Sequence, residues 1–212
     1  MGASILPVTI HNGKVLLLFG KERNIDSNPG WSDFGGGTDK GETFMETAAR
    51  EGSEELTGFI GSPSDIRRLL NKYGTIHVDY QSKGYSTYRC HVFPMAYDEG
   101  LPHYYNNNQL FLQKRLDPSI IRDSKLFEKT QIKWFDINEL AKRRSEFRDF
   151  YRNIIDLILE KKAEIIALAK KSLTDKKSLT DKRSLTNKSN KTTRRYVKSK
   201  AKGRSRRTRT NK

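Results

Sequence analysis

The sequence predicts an α/β or α+β domain built on a mixed sheet, followed by a basic tail that does not fold. Three observations predict this. Short β-branched and aromatic runs alternate with helix-patterned segments. An Asn-Gly dipeptide joins the first two apolar runs. The charge is divided: residues 170–212 hold 18 Lys/Arg and two Asp, whereas residues 1–169 balance 23 cationic against 23 acidic side chains, so the net +16 of the 212-residue chain belongs to the tail. The expected organisation is one domain over 1–169 and a tail over 170–212.

Leu6 to Ile10 and Val15 to Phe19 flank His11-Asn12-Gly13-Lys14 and read as a β-hairpin, because Asn-Gly takes the positive φ angles of a tight primed turn. Asn24 to Gly30 carries Pro and Gly and reads as a loop, after which Trp31 to Phe34 leads into Gly35-Gly36-Gly37. Thr43 to Leu56 has helix-forming composition, with Thr57-Gly58 as the expected C-terminal cap. Gly74 to Tyr80, Tyr85 to Ala96 and Gln131 to Phe135 are rich in strand-forming residues, and His103 to Gln109 reads as a polar, aromatic loop between them. Asp136 to Lys171 repeats apolar residues at three- and four-residue spacings and reads as a long helical region. Beyond it the repeats KKSLTD, KKSLTD and KRSLTN offer one Leu per six residues, too little apolar surface to offset chain entropy, so disorder is expected.

Cys90 is the only cysteine, which excludes an intrachain disulfide and fits a reducing compartment. Apolar runs such as Val15 to Phe19 are far shorter than the roughly 18 residues of a membrane span, and the N-terminus lacks the basic start and apolar stretch of a secretory signal. The expectation is a soluble intracellular protein, cytoplasmic or nuclear, with no membrane span.

On the expected helix, Glu51, Glu54 and Glu55 are related as i, i+3 and i+4, which sets three carboxylates on one face within about 6 Å. Like charges so placed cost roughly 0.2–0.5 kcal/mol per pair, so a cationic partner is expected. A solvated face neutralised by Arg50 and nearby lysines is the alternative. The glycine turn Gly35-Gly36-Gly37 just ahead lets an anionic ligand approach the backbone closely. Glu42, eight residues before Arg50, is placed for a loop-to-helix ion pair.

These residues resemble the Nudix box, G-x5-E-x7-R-E-U-x-E-E-x-G-U with U aliphatic. Gly36 falls on the first glycine, Glu42 on the first glutamate, Arg50-Glu51 on the Arg-Glu pair and Glu54-Glu55 on the last pair. Gly52 stands at an aliphatic position, at an expected cost of roughly 0.5–1 kcal/mol in helix stability. Leu56-Thr57 replace a single residue before Gly58, an insertion beyond the last glutamate. The resemblance spans about residues 4–160 and implies an α/β/α sandwich around a mixed sheet. It also implies hydrolysis of a phosphoanhydride in a nucleoside diphosphate linked to another group.

In that chemistry Mg2+ or Mn2+ reverses the repulsion between a glutamate cluster and a polyanionic substrate, because such ions take carboxylate, carbonyl and water oxygens. The metal ligands implied are Glu51, Glu54 and Glu55, with a backbone carbonyl of Gly35 or Gly36, while Arg50 and Glu42 orient the turn. The family sometimes uses an acidic residue outside the box as base or ligand; Glu128 is the candidate here, against the reading of a solvent-facing glutamate. Gly35, Gly36, Gly37 and Trp31 are the substrate-binding candidates, with Tyr80, Tyr85, Tyr88, Tyr104 and Tyr105 as further aromatics available for base stacking or for the core. Histidines at 11, 77, 91 and 103 lack close ligand spacing, which argues against zinc.

The tail is an electrostatic handle for RNA, DNA or an anionic surface, or a nuclear or nucleolar address. A nucleotide-type diphosphate is the first substrate expectation and the 5′ cap of messenger RNA the second. A non-catalytic RNA-binding or scaffold protein is the competing class; such a protein is expected to lose one of the glutamates, and all are present.

Overall fold

The computed structural model describes residues 1–23, 29–81, 86–124 and 127–172. Most of the expected loop at 24–30, Tyr85, and the expected tail from 173 onward lie outside the described residues. Within them, Met1–Ser172 form one compact unit, three residues past the expected end at 169.

The elements are β1 (Gly2–His11), β2 (Lys14–Glu22), β3 (Trp31–Ser32), β4 (Phe34–Gly37), α1 (Phe44–Glu55), α2 (Pro63–Tyr73), β5 (Ile76–Gln81), β6 (Thr87–Pro94), α3 (Gly100–Arg115), α4 (Pro118–Asp123), β7 (Lys129–Asp136) and α5 (Tyr151–Glu160), with a final helix α6 over residues 162–172. The hairpin forms as expected: His11 pairs with Lys14 around Asn12 at φ 48° and Gly13 at φ 75°. Among the described residues seven strands make one mixed sheet. β1 lies inside it, antiparallel to β4 through Gly2–Ile5 and to β2 through Val8–His11, and parallel to β6 on its other edge. β7 pairs antiparallel with β2, and β5 with β6.

Two apolar layers cover the sheet. On one face Leu6, Val8, Leu17 and Phe19 meet Ile154, Ile155 and Ile158 of α5 and Ile165 and Ala169 of α6. On the other, Ala3, Ile5 and Phe34 meet Ala48 and Ala49 of α1, Ile66 and Leu70 of α2, and Leu101 and Tyr105 of α3. Each such aliphatic side chain contributes about 1.5–3 kcal/mol by leaving water. The result is the expected α/β/α sandwich.

Three expectations change. His103 to Gln109 lies inside the helix α3 and is not a loop. The region from Asp136 is not one helix: it passes through a short 3-10 turn at Arg144–Glu146 before α5, because Phe147 bridges Trp31 and the Arg148 amide donates to the Trp31 carbonyl at 3.1 Å. The helices α2 and α4 have no counterpart in the sequence reading.

Candidate active site

The site is built where β4 turns into α1. Thr43 caps the helix, its hydroxyl accepting from the Glu46 amide at 3.3 Å while Glu46 accepts from the Thr43 amide at 2.9 Å, a reciprocal capping box. Small residues face the sheet: Thr47, Ala48, Ala49 and Gly52 are buried. They allow α1 to lie close to β1. A Cβ on Gly52 would stand 2.3 Å from Ile5 Cδ1, so the glycine that weakens the isolated helix is what the close approach requires.

The turn ahead of the helix is equally tight. A Cβ on Gly35 would fall 2.3 Å from Ser4 Cβ, and one on Gly36 would fall 2.6 Å from the Glu51 carboxyl carbon. Gly37 has open space around it. The start of the chain borders the same turn: the Thr38 amide donates to the Met1 carbonyl at 3.1 Å, and a Cβ on Gly2 would lie 2.8 Å from the Gly36 carbonyl oxygen.

Arg50 clamps turn to helix. Its Nε and Nη2 donate to the two oxygens of Glu42 at 2.8 and 2.9 Å, and Nη2 also donates to the Gly37 carbonyl at 3.0 Å. Nη1 donates to Glu51 Oε1 at 2.6 Å and lies 3.8 Å from Glu54 Oε2. Glu42 also accepts from the Thr47 hydroxyl at 2.9 Å and the Asp39 amide at 3.1 Å. Hydrogen bonding from Arg50, above all, lowers the Glu42 pKa to about 2, and the same pairing raises that of Arg50. An open groove of about 500 Å³ flanks the clamp between the Lys40–Glu42 turn, α1 and the start of α2, with Lys40 and Arg67 in its lining.

The third carboxylate points inward. Glu55 is 4% exposed, accepts from the Gly35 amide at 2.9 Å through Oε2, and lies 3.4 Å from Lys129 Nζ through Oε1. Burial pushes its pKa well up, against the pull of Lys129, and the charge of Glu128 acts in the same direction as burial. Lys129 is itself buried and donates to Glu22 and, at 2.8 Å, to the Ser32 hydroxyl. Burial works against its ammonium, but Glu55 and Glu22 outweigh it and the pKa is raised. Glu22 in turn accepts from Arg148 at 2.8 Å.

Among the described residues no three His, Cys, Asp or Glu side chains converge on one metal position. Glu51 and Glu54 nonetheless face a single cationic atom, Arg50 Nη1, which stands where a positive charge is already held between two carboxylates, with Gly36 against one of them. Two carboxylates completed by water and substrate oxygens fit Mg2+, which keeps much of its hydration. Glu55 lies one layer deeper, each oxygen retaining a lone pair beyond its present partner.

Trp31 does not stand at a substrate pocket. β3 pairs Lys21 with Trp31, and the indole sits in the apolar layer under α5, T-shaped against Phe135 at 5.0 Å. Tyr105 is also core, its hydroxyl donating at 2.7 Å to the Glu55 carbonyl, and Tyr88 donates to the buried Asp33 at 2.7 Å. Tyr104 is exposed. Glu22, Ser32 and Lys129 were absent from the sequence reading. A lysine before an apolar run reads as a solvent residue, and only the fold brings it beneath α1.

The NUDIX domain family model matches residues 1–158. A comparison with curated proteins gives no match. Among solved structures, a C. elegans Ap4A hydrolase binary complex is 16% identical over 79% of this chain and 98% of its own, with a TM-score of 0.48. The M. smegmatis Nudix hydrolase RenU is 14% identical over 77% and 86%, with a TM-score of 0.46. The NUDIX domain of Shewanella oneidensis NrtR, complexed with ADP ribose, is 15% identical over 76% and 86%, with a TM-score of 0.41. With the family model covering most of the chain, the protein belongs to the NUDIX domain family.

Proposed function

We propose that the domain hydrolyses a phosphoanhydride bond in a nucleoside diphosphate linked to another group, with Mg2+ or Mn2+ held on Glu51 and Glu54 and Glu55 supporting them from beneath. The observation that carries this reading is the arrangement around Arg50: one guanidinium joins Glu42, Gly37, Glu51 and Glu54, so the glycine turn and the acidic helix face form one rigid unit.

When bound, the ion held by Glu51 and Glu54 would supply charge neutralisation of the phosphates and a more acidic water. The chain supplies the placement. Gly36 and Gly37 keep side chains out of the approach, so phosphate oxygens reach the turn. Arg50 and Glu42 hold the turn in register with α1, and Glu54, the most exposed of the three carboxylates at 39%, is the one most open to solvent. A water adds to one phosphorus, its P–O bond to the bridging oxygen breaks, that oxygen stays on the departing phosphate, and the water's proton passes to solvent as two phosphate-bearing products leave.

The test is a product-resolved hydrolysis screen with Mg2+ and with Mn2+ over nucleoside triphosphates, dinucleoside polyphosphates, ADP-ribose, diphosphoinositols and capped RNA. Metal-dependent cleavage at a phosphoanhydride in one nucleotide-linked class is the expected result. Absence of turnover across the whole panel overturns the reading.

A further inference from the structure

We propose that Lys129 is a positioning residue: its buried ammonium fixes the Glu55 carboxylate so that Glu55 holds the Gly35 amide, and with it the catalytic turn, against α1. The proposal deepens the function proposed above and rests on it for the effect on turnover.

The turn is latched to the helix at both ends. On the outside, Arg50 takes the Gly37 carbonyl; on the inside, Glu55 takes the Gly35 amide at 2.9 Å. In the outer latch the planar guanidinium is itself fixed by its bidentate ion pair with Glu42. The inner one depends on a single carboxylate on a flexible side chain, which needs something to fix its second oxygen. Lys129 Nζ lies 3.4 Å from that oxygen.

Lysine is ordinarily a poor positioning group, because its stem is flexible and its ammonium has no fixed fork. Here both freedoms are removed. The stem runs through a slot left by Gly20, where a Cβ would fall 2.9 Å from Lys129 Cδ. The ammonium donates to Glu22 and, at 2.8 Å, to the Ser32 hydroxyl, and lies in ion-pair range of Glu55. Arg148 at 2.8 Å and Ser32 at 3.0 Å donate to the same Glu22 oxygen, Oε1, that takes Lys129. The contacts within this cluster are unequal: Arg148 pairs with Glu22, while Lys129 reaches both Glu22 and Glu55, with the buried Asp33 a further acidic neighbour. Removing Lys129 takes the cation from Glu55 and leaves Glu22 its own.

The test uses the full chain. In Lys129→Met, amide hydrogen exchange at Gly35 should accelerate at least tenfold while slowly exchanging amides of β1 and β6 keep their protection. On the substrate found active, kcat should fall about 10- to 100-fold, the range for residues that orient metal-site ligands, with KM within about twofold. Lys129→Arg, which keeps the cation, should lie closer to the parent on both readouts. In a Glu55→Gln background, Lys129→Met should cause no further loss of kcat.

Unchanged exchange at Gly35, uniform acceleration of all slow amides, or multiplying losses in the double variant would each overturn the proposal. Should Lys129→Met not fold, Ser32→Ala removes one of the two hydrogen-bond acceptors of the ammonium and should give the same local loss at Gly35 to a smaller degree; no local change there overturns the proposal equally. The exchange arm needs neither metal nor substrate, so failure of this idea is separable from failure of the proposed activity.

Discussion

Glu51 and Glu54 share one guanidinium nitrogen in the structure, and this makes their separate contributions measurable. Glu54→Gln preserves size and removes one charged ligand; hydrolysis should fall at least about tenfold, since even groups that orient ligands cost 10- to 100-fold, while the circular dichroism spectrum and melting temperature stay near those of the parent. Glu42 gives a pH prediction. Its pKa falls from the ordinary 4.5 to about 2 in the folded state, so its contribution to stability is present above 4.5 and is lost as pH drops through that value toward 2. Acid titration of stability in Glu42→Gln should be flatter over that window, and a double-mutant cycle with Arg50→Ala should show coupling. At this scale the box residues were legible because their spacing is fixed by the helix and the turn. Lys129 was not, because its meaning depends on Gly20 and Glu22, more than a hundred residues away in the chain.

The helix α1 is set by packing as much as by propensity. Gly52→Ala raises intrinsic helix propensity by about 1 kcal/mol, yet the added methyl meets Ile5 at 2.3 Å. Overpacking of this kind costs about 1–3 kcal/mol, so chemical denaturation should show net destabilisation. The end of α1 departs from the glycine cap expected at Gly58. The Gly58 amide donates to the Ser53 carbonyl and the Thr57 amide to the Glu54 carbonyl, both at 2.9 Å, a Schellman arrangement in which Thr57 takes the left-handed position at φ 48°. A β-branched residue is strained there, and the Thr57 hydroxyl is buried without a hydrogen bond among the described residues. Thr57→Gly should therefore raise stability by about 1 kcal/mol and leave turnover unchanged. Elements with a single periodic face, such as the hairpin and α1, could be read from sequence. α3 could not: Asn106 exchanges hydrogen bonds with the Ile132 backbone at 2.8 and 3.2 Å, and buried Gln109 and Tyr105 share its inner face. Polar residues covering a strand edge erase the apolar stripe by which a helix is recognised.

For the molecule as a whole, the division of charge at the end of the domain is the feature to test. α6 carries Ile165 and Ala169 into the core, and Ser172 bonds back to the Ala169 carbonyl at 2.9 Å, so the cut belongs after 172. Deleting 173–212 should leave turnover of a small nucleotide within about twofold of the parent, because every box position lies in 1–172. If the segment binds long RNA, the same deletion should weaken that binding and flatten its dependence on salt, as fewer counterions are released. Equal losses on nucleotide and RNA would instead assign the segment to catalysis. The layered sheet was legible from periodicity; the inner latch arises only from how β2, β7 and α1 meet. The opposite end of the chain behaves differently. Because the Met1 carbonyl holds the Thr38 amide and Gly2 abuts the Gly36 carbonyl, any affinity tag or fused reporter placed ahead of Met1 leaves the fold beside the glycine turn of the candidate site, so labels for activity work belong at the carboxyl end.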